Sequence, residues 1–367
     1  MKKTDWFKER KWGIFNHYLA SSVRGCGVGS KGEAEVSWEE CVEQFDVPAY
    51  AKRVHELGAG YVIFTLSQGL RYLCAPNEAF DRIAGTKPGE ACSRRDLPME
   101  LADELAKYDI SLMLYFPSDG PYMDLEIAPH FGWDRSHDDP ANGYMAPVTM
   151  EFVEKWSSVL QEYAERYGDK VKGWWLDGFY QWVGFDDHLI KYFHDAVLAG
   201  NPNAVMAFNG GVVRIDFLNP KYRYLTDGSE NLFGKIDLLT KAAEAGDQTA
   251  LEAFVNKPFR FSRYDDYCAG EQNEFSCYPE KTFPEDCQWH VLSFLANRSG
   301  APGKKGLWGG GAGWCGTGSA YSADEILDYV KKVNDLGGVV SIEIRIYRDG
   351  SFDKAQMEVL RKLKTLR

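Results

Sequence analysis

The residues best placed to do chemistry are acids that directly follow apolar runs. In VKGWWLDGFYQW, residues 171–182, an apolar strand with two tryptophans stops abruptly at Asp177 and Gly178. A carboxylate at the C-terminal end of a core strand is costly unless it is paired, hydrogen-bonded or used. The same Asp could also simply cap the turn that follows. Glu271, in the glycine-containing loop DDYCAGEQNEF, is the second acid of interest, with Glu274 and Glu230 as further candidates. A pair of carboxyl groups is what glycosidic bond cleavage requires: one protonates the leaving oxygen, and the other attacks the anomeric carbon or activates water. His17, Gln68 and Asn209 also sit where apolar runs end, while Trp175, Tyr180 and His290 lie within or beside such runs. Eleven tryptophans and 14% aromatic residues suit a sugar ligand, whose C–H faces stack on rings, and suit a large core equally well.

These side chains need a scaffold that gathers strand ends. Apolar runs at 11–19, 61–66, 110–116, 171–176, 204–208, 259–264, 289–295 and 338–346 alternate with helix-periodic segments such as 150–167 and 187–198. Ser322 and Glu325 form a capping box for the helix before the last strand. Eight strands alternating with helices predict an α/β fold, a (β/α)8 TIM-like barrel. His17, Gln68, Ser118, Asp177, Asn209, Glu271 and Glu343 all fall at C-terminal strand ends, the face on which barrel active sites are built. Residues 1–367 read as one domain, with residues 212–257 as an insertion between the fifth and sixth units. The loop 117–147 is long enough for a lid or binding loop.

Bulk properties exclude several classes. A net charge of −12 argues against nucleic acid or an anionic membrane as partner. No apolar run has the length of a signal peptide's core or a membrane span, so a cytoplasmic location is expected. The eight cysteines show no CxxC or Cys/His ligand spacing, so no metal, cofactor or disulfide framework is indicated, and reduced thiols are expected. The Gly-rich phosphate fingerprint, Walker sequence, H-E-x-x-H and G-x-S-x-G are missing as well. The expected partner is a carbohydrate, and assembly into a homo-oligomer is left open.

Four stretches together resemble the α-L-fucosidase family of glycoside hydrolases: KWGIFNHYL, CSRRDLPMELADELAKYDISLMLYF, WWLDG and GGVVSIEIRIYRDGSF. The resemblance implies that His17 contacts the sugar and that Asp177 is the nucleophile of a retaining hydrolysis, forming a covalent glycosyl-enzyme. Glu271 is then the expected acid/base, with about 5–5.5 Å between the two carboxyl groups. The chain departs from the family after the second strand. There the family carries His-His-Asp-Gly, whereas this sequence has SQGLRYLCAPN with Gln68. A different sugar, transglycosylation, or a carbohydrate-binding barrel without turnover are the alternatives that this departure raises.

Overall fold

The computed structural model describes residues 2–24, 35–133, 148–180, 183–212, 214–215, 238–239, 241–243, 245–252, 254–255, 257–296 and 313–366. Its centre is a seven-stranded parallel sheet. Strands β1 (Trp12–Asn16), β2 (Tyr61–Thr65), β3 (Ser111–Pro117), β4 (Val171–Asp177) and β5 (Val205–Phe208) lie side by side in chain order. The strand Val339–Glu343 pairs with β1 on its other side, and His290–Phe294 pairs with Val339–Glu343. The chain's first and last sheet strands are therefore neighbours.

The two sheet edges, β5 and His290–Phe294, meet across an irregular segment. The Asp266 N–H donates to the Met206 carbonyl at 2.9 Å, and the Cys268 N–H to the Gln288 carbonyl at 3.0 Å. Further along, the Leu292 N–H donates to Gly270 and the Gln272 N–H to Leu292, both at 2.8 Å. The strand expected at 259–264 does not form. Instead, the Asp265 carboxylate accepts the backbone N–H groups of Phe208, Phe261 and Ser262 at 2.7–2.8 Å, which curls that stretch into a turn. Strand-like pairing is displaced to the residues after it, so seven of the eight expected strands form ladders. Most of the expected insertion, with Glu230, lies outside the described residues.

Helices Val47–Leu57, Leu97–Ala106, Met150–Tyr167, Asp187–Gly200 and Ala323–Asp335 pack on the outer face. Each starts at a side chain that accepts an orphan backbone N–H: Asp46, Asp96, Thr149, Asp186 and Ser322. Such caps contribute about 1 kcal/mol apiece. Among the described residues, no helix is long and apolar enough to cross a membrane.

Successive strand residues face opposite sides, and this alternation decides what reaches the site. Trp174 belongs to the outer core and Trp175 to the inner one, together with Phe15, Tyr115, Ala207, Tyr267 and Ala269. Continuing the inward parity by two residues past the inner core brings out His17, Asp177, Asn209, Glu271 and Glu343 at one end of the sheet. Small residues make room for the large rings inside. A Cβ on Gly13 would lie 2.4 Å from the Tyr61 ring. Gly13→Ala is therefore expected to destabilise the fold by about 1–3 kcal/mol through overpacking. Urea denaturation checks this, and a midpoint equal to that of the wild type would mean the ring yields freely.

Candidate active site

Asp177 ends β4, and the chain turns sharply behind it. Gly178 has φ 85°, in the left-handed region, and a Cβ there would meet the Asp119 carboxyl at 2.9 Å. The Asp177 carbonyl accepts both the N–H of Ser118, at 2.7 Å, and its hydroxyl. These bonds tie the end of β4 to the loop after β3. The Asp177 side chain is buried, yet both its oxygens are engaged. Oδ2 accepts the Tyr115 hydroxyl at 2.6 Å, while Oδ1 accepts the Asn209 amide at 2.7 Å and faces the Tyr180 hydroxyl at 3.5 Å. Tyr115 in turn accepts from the exposed Gln68 amide at 2.9 Å.

Asn209 also reaches the second acid. Its Nδ2 donates to Glu271 Oε2 at 2.6 Å, and its Oδ1 accepts the Gly211 N–H at 3.1 Å, which fixes the orientation of the amide. One nitrogen thus bonds both carboxyl groups. The two acceptor oxygens lie no further apart than two short hydrogen bonds laid end to end. Burial, followed by the charge of Asp177, pushes Glu271 up to about 7, against the Asn209 bond that favours its ionised form. Burial and the same Asp177 charge also hold Asp119 well above the usual carboxylate range. Two acids that favour the protonated form therefore flank Asp177. A narrow cleft of about 10 Å³ opens beside Asn209 and Glu271, lined also by Gly210, Gly211, Phe261 and Gln272.

His17 stands on the opposite wall. Its ring meets Tyr115 and Trp314 edge-on, with centroids 6.1 and 5.6 Å away, and its Nδ1 is 3.4 Å from Glu343 Oε1. Burial opposes a charge on this imidazole, but Cys315 and Glu343 outweigh it and raise His17 to about 10.

Asp177, Glu271, His17, Gln68, Tyr180 and Asn209 are thus brought together, whereas other sequence candidates are placed elsewhere. Trp175 is 2% exposed, stacked under Tyr115 at 5.4 Å and anchored by its indole N–H to the Ala269 carbonyl at 3.0 Å. It supports the site from below and offers no face to a ligand. His290 is fully buried, with Nδ1 at 3.0 Å from the carbonyls of Cys268 and Ala269 and Nε2 at 2.8 Å from Ser341 Oγ. Both nitrogens are engaged inside the core, and burial pushes this ring down to about 4. Glu274 is half-buried and takes no part in the hydrogen bonds around Asp177. Glu230 lies outside the described residues. Tyr115 and Asp119 are additions that the sequence did not single out. Tyr115 was hidden in an apolar run; its inward parity, two residues before Pro117, was the available signal.

No protein-family model and no curated protein matches this sequence. Solved structures do resemble it in fold. A point variant of an endo-fucoidan hydrolase of glycoside hydrolase family 107 matches at TM-score 0.60 and 13% identity over 99% of this chain. This chain spans only 54% of that protein's length. An α-L-fucosidase of family 29 from Bacteroides thetaiotaomicron matches at TM-score 0.58 and 15% identity, covering 99% of this chain and 73% of its own. An α-L-fucosidase from Lactobacillus casei, solved with α-L-fucose product, matches at 0.57 and 14%, covering 99% and 97%. The chain therefore folds as fucosidases and endo-fucoidan hydrolases do, in keeping with the motifs that first suggested the resemblance.

Proposed function

We propose that this protein is a retaining glycoside hydrolase acting on an α-L-fucoside or a sugar of closely related shape. The observation that carries this reading is the pair of carboxyl groups held by one Asn209 amide, with Glu271 raised to about 7 beside Asp177. The fold likeness to fucose-acting hydrolases supports the sugar class. In this reading residues 266–272 take the sixth position of an eight-unit barrel, in a single domain to which residues 212–257 are an insertion.

The chemistry proceeds in two displacements. The Asp177 carboxylate attacks the anomeric carbon as Glu271 gives its proton to the leaving oxygen, producing a glycosyl ester on Asp177. Glu271, now ionised, takes a proton from water. The resulting hydroxide attacks the same carbon and releases Asp177. Tyr115 and Asn209 keep Asp177 aimed throughout, since each grips a different oxygen. Gln68 and His17 are the groups we assign to sugar hydroxyls, and Tyr180 lines the pocket beside them. With Gln68 where fucosidases carry paired histidines, the substrate's hydroxyl pattern is expected to differ at that contact.

A panel of aryl glycosides, comprising α-L-fucoside, α-L-rhamnoside, α-L-galactoside and β-D-galactoside, tests the assignment. At least one is expected to turn over, with the first-formed sugar keeping the substrate's anomeric configuration by NMR. Asp177→Asn should lower kcat on the order of 10⁴-fold or more, and activity surviving in that variant would refute the role of Asp177.

The Glu271 shift yields a pH test. A general acid works only when protonated, so kcat/KM should fall as pH rises through about 7. In Asp177→Asn one of the charges that raises Glu271 is gone, so its titration, followed by difference infrared spectroscopy, should move to lower pH. A midpoint that stays put or rises would remove Asp177 as a cause.

A further inference from the structure

The wall opposite the carboxylate pair holds a second constellation, of which the proposed cleavage uses His17 alone. His17, Cys315 and Glu343 come from β1, from the loop after His290–Phe294 and from the strand Val339–Glu343, and their ligand atoms all lie within 4.8 Å of one another. We propose that these three residues bind one divalent cation of the thiolate-seeking, zinc class.

The geometry supports coordination over simple hydrogen bonding. His17 Nδ1 and Glu343 Oε1 are 3.4 Å apart, longer than the 2.7–3.2 Å of a good N–H···O bond. Ligands of tetrahedral zinc, bound at about 2.0–2.3 Å, stand roughly 3.3–3.6 Å from one another. Glu343 provides an independent sign. It is fully buried, and its Oε2 has no hydrogen-bond partner among the described residues. A carboxylate oxygen buried without a partner is expensive, and a cation would satisfy it.

The thiol is also held in place. Cys315 has φ 58°, a left-handed conformation that a non-glycine residue adopts only when its surroundings impose it. Its N–H donates to Glu343 Oε1 at 3.1 Å, and its carbonyl accepts the Arg345 guanidinium at 3.2 Å. Both bonds pin the peptide that carries the sulfur. One thiolate and one carboxylate with a neutral imidazole would balance a doubly charged ion in a buried place. Three protein ligands leave the fourth tetrahedral position open, the arrangement of zinc sites that exchange a ligand.

The test uses the full chain, freed of metal with a chelator and titrated with Co²⁺ alone as a spectroscopic stand-in for zinc. The wild type is expected to take up one Co²⁺ with a thiolate-to-cobalt charge-transfer band and tetrahedral d–d absorption. Cys315→Ser should lose the band, while Cys277→Ser, which alters a half-buried thiol outside the constellation, should keep it. His17→Ala should weaken binding at least tenfold with the thermal unfolding transition retained. A wild type that shows no charge-transfer band, or a band that persists in Cys315→Ser, would overturn the site. One consequence rests on the proposed function: a zinc ion on His17 takes away a sugar contact, so zinc should inhibit turnover competitively. The cobalt spectrum does not depend on that reading, so failure of the cation site and failure of the hydrolase assignment are separately visible.

Discussion

A single amide nitrogen sets the terms for everything around it. Two carboxyl groups brought this close in a buried pocket repel one another when both are ionised. Asn209 carries no charge and so holds both without neutralising either. A lysine in that position would favour two carboxylates and remove the proton that an acid catalyst must carry. An apolar residue would leave the pair without the donor that fixes their separation. The amide keeps the acids near enough to share a substrate atom.

The support beneath this pair is aromatic. Trp175 lies under Tyr115, Phe15 packs edge-on against both, and none of the three rings has appreciable exposure. Stacked rings have few rotamers, so the Tyr115 hydroxyl is aimed at Asp177 by packing as well as by its own hydrogen bond. Such a floor resists the small displacements that cost enzymes rate. Glycines facing inward, such as Gly13 against Tyr61, are what allow so many rings onto one face of the sheet.

What could be read from the sequence was governed by period two. The acid at the end of VKGWWLD was visible because an apolar strand that ends on Asp has few inexpensive explanations, and the same logic found His17 and Asn209. The strand expected at 259–264 does not form, for a reason that composition does not carry. The run at 259–264 has strand-like residues, but the Asp265 carboxylate offers its backbone N–H groups a better acceptor than a neighbouring strand would. His290 was read as a site residue from its strand alone, whereas parity set it in the core against Ser341. The grouping of His17, Cys315 and Glu343 was beyond reach, since ligand spacing is a local signal, whereas His17 and Glu343 meet through the pairing of β1 with Val339–Glu343 and Cys315 through its bonds to Glu343 and Arg345.

That pairing has a consequence for when the molecule becomes competent. Because β1 lies between β2 and Val339–Glu343, its second edge remains open until residues 339–343 have been made. The loop to be closed runs from Asn16 to Val339, and although its entropy grows only logarithmically with length, contacts of such sequence separation form slowly. The acids of β4 and residues 266–272 can assemble earlier, but the wall that carries His17 and Glu343 cannot. On the ribosome, the pocket would therefore stay one-sided until residues 339–343 have been made, and any chain lacking that strand would expose β1 as a sticky apolar edge.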